Sequence, residues 1–284
     1  MNGFLLINKP CGPSSHDILD LLRKFPFKKI GHTGTLDPFA SGLLVVGINE
    51  SLKFLSYLNE EPKIYEATLT LGCQTDTMDH TGKVISEAAI PSLTQELVQD
   101  TCNAFIGIYH QLPPMFSAKK KDGKKLYELA RKGITVERKE VPVTIHSLLV
   151  KSVHLPKIQF EISCSKGTYV REIGSSLAQK LGCVGHLSAL CRFASGPFNL
   201  GKSIQLENLN SAHSFELISI SEALNHWPKL QLTGTEVKEL RQGKKLNQKN
   251  QEGFYQLFGE EDFIGMGEIK EDVLSAKRLM EYVL

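Results

Sequence analysis

No stretch of this 284-residue sequence approaches the roughly 18 consecutive apolar residues that a membrane-crossing helix needs. The opening, MNGFLLINKP, lacks the basic start and long apolar run of a secretory leader. Both absences make the cytoplasm the expected location, with no membrane partner. The six cysteines, Cys11, Cys73, Cys102, Cys164, Cys183 and Cys191, are scattered, and no two stand at zinc-knuckle spacing. In a cytosolic chain they are expected to stay reduced and mostly buried. Among nine histidines there is no HExxH and no pair at helical metal spacing, so no metal is expected. No Gly-Lys-Ser/Thr closes a Walker-type phosphate loop, and no glycine pattern fits the dinucleotide fingerprint. No cofactor is expected either. The sequence holds no internal repeat and no low-complexity tract.

What is present is an ordinary globular composition, 41% hydrophobic and 23% charged. The length suits one large domain, or a large one with a small one. A formal net charge of +2 hides a segregation of charge. Residues 117–139 hold nine Lys/Arg against three Asp/Glu, and residues 251–272 hold seven acids against one Lys. The basic segment, HQLPPMFSAKKKDGKKLYELARKG (110–133), interleaves lysines with Met115, Phe116 and Tyr127. Lys119 to Lys121 and Lys124-Lys125 flank an Asp122-Gly123 turn, and LYELARK makes a short helix stopped by Gly133. A lysine run is most often a solvated face. Lysines mixed with apolar groups on a protruding loop also suit gripping a phosphate backbone while meeting bases.

The chain is organised around residues 31–47, GHTGTLDPFASGLLVVG. Gly31, Gly34 and Gly42 permit turns and close approaches. Pro38 keeps Asp37 out of helical geometry, and the apolar run Leu43 to Val46 reads as a buried strand or the end of a short helix. A carboxylate is thus expected on a tight loop pinned to the core. The residues alone leave two readings open: a reactive carboxylate, or a turn cap.

Elsewhere, residues 3–8 read as a strand, and Ser14 or Ser15 as the cap of a helix ended by Pro26. Residues 64–72 alternate, with Tyr65, Ala67, Leu69 and Leu71 on one face. QTDTMDHTG (74–82), with Asp76, Asp79 and His80, reads as a solvated connection. Ser92…Gln95 reads as a capping box opening a helix to about Phe105. Residues 141–164 read as two paired strands turning at HLPK. Thr168 is expected to cap a helix carrying Ile173, Leu177 and Leu181. Arg171 at that helix start is unfavourable for the dipole, which suggests another job, such as pairing a carboxylate. Residues 182–198 read as a loop with a short element around Leu187–Leu190. Arg192 and Phe193 there either meet RNA or pack. A helix is expected from Phe215 to Leu224, then a boundary at Trp227-Pro228. Beyond it come a short helix (236–241) and a β-hairpin, GFYQLFGEEDFIGMGEI. Some 55 residues are few for an independent domain, so this part is expected to lean on the first.

GHTGTLDPFASGLLVV resembles the signature of the TruB family of tRNA pseudouridine synthases. The likeness extends in order through INKP, KIYEATLTLG with TDT after it, QLPPMFSAKKKDGKKLYELAR, CSKGTYVREI, GHLSALCR and FIGMGEI. The family converts uridine 55 in the T arm of tRNA to pseudouridine. The resemblance implies Asp37 as nucleophile. It implies Tyr65 as the aromatic against the target base and a candidate acid or base, with Arg171 paired to the aspartate. Tyr169 and Leu190 fall in the nucleoside pocket, and His32 meets the flipped nucleotide. Lys9, Lys119, Lys120, Lys121, Lys124, Lys125 and Arg192 are expected on the RNA backbone. Phe39 and Ser41 stand where Leu and Thr are usual. Cys191 replaces a usual arginine, which puts one backbone contact in doubt. The guanidinium is expected to lower the Asp37 pKa.

The implied fold is α+β, with a mixed, largely antiparallel central sheet and flanking helices. A catalytic domain is expected over 1–227, with 110–133 as its basic RNA-gripping loop, and a small β-rich PUA-type RNA-binding domain over 228–284. The expected partner is tRNA, with no metal, no obligatory protein or guide RNA, and a monomer by default. The alternative is a non-catalytic tRNA-binding or RNA-folding protein on the same scaffold. A guide-dependent relative would carry basic tails absent here, and a hydrolase would need a second carboxylate beside Asp37.

Overall fold

The computed structural model describes residues 1–281 except 118, 122, 131 and 210–215. In chain order the first half comprises β1 (Gly3–Lys9), α1 (Ser15–Leu22), β2 (Ile30–Thr33), β3 (Ser41–Ile48), a 3-10 helix (Asn49–Tyr57), β4 (Lys63–Leu71), β5 (Cys73–Thr75), β6 (Val84–Glu87), α2 (Gln95–Asn103) and β7 (Gly107–Gln111). The lysine hairpin β8 (Lys120–Lys121) and β9 (Lys124–Lys125) and the short α3 (Leu126–Ala130) follow, then β10 (Val141–His154), β11 (Lys157–Cys164), α4 (Val170–Lys180) and β12 (Gly185–Ser195). Short strands β13 (Phe198–Asn199) and β14 (Ile204–Gln205) and helix α5 (Ile220–Ala223) lead to the C-terminal part.

Among the described residues the main sheet has ten strands in the order β14-β1-β3-β12-β4-β11-β10-β7, with β2 on β3 and β13 on β12. Only the β1–β14 and β3–β12 pairs are parallel. The mixed, largely antiparallel expectation therefore holds. β3 is continuously apolar because both its faces are covered. Leu43 and Val45 pack with Phe4 and Leu6, whereas Leu44 and Val46 pack with Leu5, Ile7 and helix α1. β4 alternates as expected because only one face meets the core, where Tyr65, Ala67, Leu69 and Leu71 lie under α2 and α4. At the β3–β12 junction Gly42 has φ +102°, and a Cβ there would lie 2.4 Å from the Arg192 carbonyl oxygen. Only glycine lets the two backbones pair here.

Several local expectations are corrected. Residues 185–195 form a full strand in mid-sheet, where a short element was expected. Two register shifts, at Leu187/Ala189 and Arg192/Ala194, break the alternation that would have marked it. α2 is capped by Thr94, whose hydroxyl accepts from the Leu97 N–H, not by Ser92. α4 has Tyr169 at its N-cap without a side-chain bond, and the Thr168 hydroxyl donates instead to the Ser165 carbonyl at 2.9 Å. α1 keeps its Ser14 cap, completed by Asp17, but ends at Leu22, well before Pro26. Only Ile220–Ala223 of the expected 215–224 helix is helical, and Phe215 lies outside the described residues.

The C-terminal part comprises β15 (Lys229–Leu232), α6 (Gly234–Arg241), β16 (Leu246–Asn247), β17 (Gly253–Gly259), β18 (Asp262–Lys270) and β19 (Val273–Leu279), in the sheet order β15-β17-β18-β19-β16. It leans on the first part through apolar contact. Phe54 meets Phe263 and Tyr57 meets Phe254 edge-on, at 5.4 and 5.6 Å between ring centres. Met266 belongs to the same core as Phe4 and Leu6. The Trp227 Nε1–H donates to the Tyr57 carbonyl at 2.9 Å. No helix among the described residues is long and apolar enough to cross a membrane.

Candidate active site

The loop from β2 to β3 carries Asp37 on a tight turn, closed by the Ala40 N–H donating to the Asp37 carbonyl at 3.1 Å. Its neighbours hold it from three directions. The buried Ser15 hydroxyl donates to the Leu36 carbonyl at 3.0 Å and accepts from the Leu36 N–H at 2.9 Å. The Gly12 N–H donates to the Pro38 carbonyl at 2.8 Å. Lys9, fully buried, donates from Nζ to the carbonyls of Pro10 and Pro13 at 2.8 Å each and reaches Pro38 at 3.4 Å. Burial pulls its pKa down to about 8. The expectation of Lys9 on an RNA phosphate is therefore corrected: its ammonium is a staple between two loops.

Replacing Lys9 with Met leaves three carbonyls without this donor. Lys9→Met is expected to destabilise the fold by about 2–3 kcal/mol, and to slow catalysis by loosening the Asp37 loop. The salt dependence of binding to tRNA, the partner the sequence resemblance implies, should stay as in wild type. A shallower salt slope in Lys9→Met would return Lys9 to the phosphate-contact role.

Arg171, in the first turn of α4, is 3% exposed and reaches four acceptors. Its Nε lies 2.8 Å from Asp37 Oδ2 and its Nη1 lies 3.5 Å from Asp79 Oδ2. Nη1 also donates to the Thr77 carbonyl at 2.7 Å and Nη2 to the Phe116 carbonyl at 2.9 Å. The guanidinium thus joins the Asp37 turn, the 75–81 loop and the approach to the lysine hairpin. Asp79 is no solvated loop residue, contrary to the sequence reading. It is 4% exposed, and its Oδ1 accepts from the Thr77 hydroxyl and the Thr81 N–H at 2.9 Å each, and from the Thr81 hydroxyl at 2.5 Å.

Removal from water pushes the Asp37 carboxyl above its ordinary value of 3.8. The Arg171 guanidinium pulls it down and the Asp79 charge pushes it up. The expected lowering is thus corrected, because desolvation outweighs the pairing. If an ionised Asp37 is required, the single-turnover rate falls with falling pH at a midpoint above 3.8. An acid limb at or below that value would contradict this. The stability linkage has the opposite sense: ionised Asp37 costs the fold stability above its raised pKa, and protonation relieves that cost as pH falls through it.

Two adjoining cavities, of about 730 and 250 Å³, share Asp37 and Arg171 in their walls. The larger is lined also by His16, His32, Phe39, Asp79 and Phe116. The smaller is lined also by Lys63, Tyr65, Tyr169, Leu190 and Arg192. Tyr65, Leu190 and Tyr169 thus form an apolar and aromatic floor beside the carboxylate. Burial raises the Tyr65 pKa, so its phenol keeps its proton at neutral pH, although the Arg192 guanidinium against it pulls the other way. Burial and the Arg192 charge lower the His32 pKa, and its Nδ1 has no hydrogen-bond partner among the described residues. A neutral imidazole is therefore presented to whatever fills the cleft.

Arg192 is also corrected as a backbone contact. It is 1% exposed, with Nε donating to the Leu43 carbonyl at 2.8 Å and Nη2 to the Gly34 carbonyl at 2.7 Å. It fixes the loop and Tyr65 from beneath. Cys191 beside it is half-buried and pairs in register with Ser41. Lys119 is exposed and lines neither cavity. The side chains of Lys120, Lys121, Lys124, Lys125 and Tyr127 lie outside the described residues, although the hairpin they form pairs Lys120 with Lys125 and Lys121 with Lys124. Sequence reasoning missed Lys63, buried and 3.0 Å from Glu60 Oε2. It also missed Gln111, fully buried, which accepts from the Tyr169 N–H at 2.9 Å and donates to the Gly167 carbonyl at 2.6 Å. No spacing signal marks either one.

A carboxylate bridged to a buried guanidinium beside Tyr65 and Tyr169 has the chemistry to hold and act on a planar ring. The family model "TruB family pseudouridylate synthase (N terminal domain)" matches residues 23–170, and "Pseudouridine synthase II TruB, C-terminal" matches residues 228–280. The chain belongs to the TruB family of pseudouridine synthases. It is 46% identical over 249 residues to the tRNA pseudouridine synthase B of Geobacter sulfurreducens, covering 86% of this chain and 82% of that protein. The protein of the same name from Aromatoleum aromaticum is 40% identical and spans 100% of this chain and 94% of its own length. Among solved structures, a Cbf5-Nop10-Gar1 complex contains a chain that superposes with a TM-score of 0.73 at 20% identity, covering 98% of this chain and 84% of that one. That likeness bears on the fold alone. The pseudouridine-synthase fold and the β-rich C-terminal part match the expectation.

Proposed function

We propose that this protein isomerises uridine 55 in the T arm of tRNA to pseudouridine, working alone as a cytoplasmic monomer without guide RNA or cofactor. The observation that carries the mechanism is the Asp37–Arg171 pair, 2.8 Å apart and set in the wall of both cavities. Relatives named tRNA pseudouridine synthase B, at 40–46% identity over most of the chain, support the reaction and the substrate class.

The reaction breaks the uracil N1–C1′ bond, turns the base while it stays bound, and joins C5 to C1′. The proton on C5 is then lost and N1 gains one, so nothing is oxidised and no group comes from outside. The target base leaves its stack, at a cost of a few kcal/mol. Tyr65, Tyr169 and Leu190 replace the stacking, and base–aromatic contact returns on the order of 1–3 kcal/mol. Asp37, ionised and oriented by Arg171, acts at C1′ as nucleophile: its O–C1′ bond forms as N1–C1′ breaks, and that bond breaks in turn when C5 of the turned base attacks C1′, returning the free carboxylate. The protonated Tyr65 phenol lies against the base, able to donate or relay a proton. His32, whose ring lines the larger cavity while its Nδ1 stays buried, meets the flipped nucleotide as a neutral imidazole. Lys119 and the lysine hairpin carry the arm's phosphates. Residues 1–227 act as the catalytic domain, and residues 228–284 as a small PUA-type domain that adds RNA contact.

Incubation with an unmodified tRNA transcript alone, followed by nucleoside analysis, tests this. Pseudouridine at position 55 is expected. Tight tRNA binding without pseudouridine would favour the RNA-folding role instead.

A further inference from the structure

The loop between α1 and β2 reads RKFPFKK (23–29), four cations without an acid. Its backbone is tied down. The Phe25 N–H donates to the Leu22 carbonyl at 3.1 Å, and the Asn49 N–H to the Lys29 carbonyl at 2.8 Å. Asn49 Oδ1 accepts from the N–H groups of Lys28 and Lys29 at 2.8 and 3.0 Å. The rings of Phe25 and Phe27 stand 6.1 Å apart and pack on the core of α1, β1 and β3. The anchored backbone leaves Lys24, Lys28 and Lys29 exposed.

Asp20 and Glu50, the acids of the flanking elements, are already engaged. Asp20 pairs with Arg23, and Glu50 pairs with Lys53 at 2.7 Å while accepting the Glu281 N–H at 2.8 Å. Lys29 is near enough to help hold the Glu50 carboxyl low, yet no carboxylate among the described residues forms an ion pair with Lys24, Lys28 or Lys29. Three exposed ammonium groups thus stand on an anchored backbone.

The position of the loop says which anion. His16, in the first turn of α1, and His32, on β2, both line the larger cavity. The loop joins the far ends of these two elements. From His16 to the end of α1 is six helical steps, about 9 Å, and from His32 back to Lys29 is three strand steps, about 10 Å. The lysines therefore stand about 10 Å from the cleft, or about three nucleotides at roughly 3.4 Å per step. The lysine hairpin continues from another wall, at Phe116 and Ser117.

Resting on the proposed function, we infer that the 23–29 loop is a second phosphate-gripping surface, holding the stem of the RNA whose flipped nucleotide fills the cleft. A polyanion satisfies three exposed cations on an anchored backbone, none of them in an ion pair among the described residues.

The test is tRNA affinity from 50 to 200 mM salt for wild type, for Lys24→Ala/Lys28→Ala/Lys29→Ala, and for the matching triple Arg variant. The alanine variant should bind more weakly, with a log–log salt slope shallower by about 2, at roughly 0.7–0.9 per phosphate contact. Its deficit should grow on the order of tenfold as salt falls across that range. The arginine variant should restore both. Unchanged affinity and slope, or weaker binding with an unchanged slope, would overturn the inference and leave the proposed function standing. A wild-type protein that does not bind tRNA would sink the proposed function, and this inference with it.

Discussion

Asp37→Asn is expected to abolish pseudouridine formation, by a factor on the order of 10⁴ or more, while leaving tRNA affinity within a few-fold of wild type. The amide keeps the size and turn geometry of the carboxylate but cannot act as a nucleophile at C1′. Arg171 keeps three of its partners, Asp79 and the carbonyls of Thr77 and Phe116, so it is not stranded by the change. Thermal unfolding should therefore shift by only a few degrees. Single-turnover rates and filter-binding affinities on the same preparation separate the two roles. A variant that still isomerises at a tenth of the wild-type rate would demote Asp37 to a turn residue. A variant that loses binding along with activity would leave its chemistry unproven.

Arg171 should give the second largest effect, for a different reason. Its guanidinium is buried and divided among two carboxylates and two carbonyls on three separate loops. Lysine keeps the charge but offers one compact ammonium, which cannot reach all four acceptors in a single plane. Arg171→Lys is expected to lower the single-turnover rate at least about 100-fold, from misplacement of the carboxylate, with a moderate loss of stability. Arg171→Met removes the charge and leaves Asp37 and Asp79 facing each other in a poorly solvated cleft. It should cost about 3–5 kcal/mol of stability, read from denaturant midpoints at constant slope. An Arg171→Lys enzyme with wild-type rate would mean that the ion pair is architectural only.

Much of this arrangement was legible before any coordinates. The Asp37-Pro38 turn and the alternation of Tyr65, Ala67, Leu69 and Leu71 depend on neighbours within a few residues, so the chain states them locally. Arg171 was legible as a misfit, because a cation in the first turn of a helix opposes the dipole. Asp79 was not. Among polar residues it looks solvated, and its burial comes from β12, where the Leu187 N–H donates to the Met78 carbonyl at 3.0 Å. That contact spans more than a hundred positions, and no local pattern encodes it. Lys9 and Arg192 were misread for the same reason. Basic side chains in an RNA-binding chain suggest phosphate, whereas here the carbonyls of turning loops consume them. β12 was underestimated because its register shifts destroy period-two alternation, and Ser188 and Arg192 interrupt its apolar run.

The two basic segments differ in the same way. Lysines 119–125 announce themselves by density along the chain. The 23–29 loop holds fewer cations, and its meaning comes from Asn49, which fixes its backbone, and from Arg23 and Lys53, which engage the counter-charges of Asp20 and Glu50.

The most direct test of the central claim is tritium release from a tRNA transcript labelled at uridine C5. Joining C5 to C1′ expels that hydrogen, so release counts the isomerisation itself. The expected result is one equivalent released per tRNA by the wild-type protein alone, none by Asp37→Asn, and none when the T-arm uridine is replaced. Binding of tRNA without release by the wild type, or release that persists in Asp37→Asn, would contradict it.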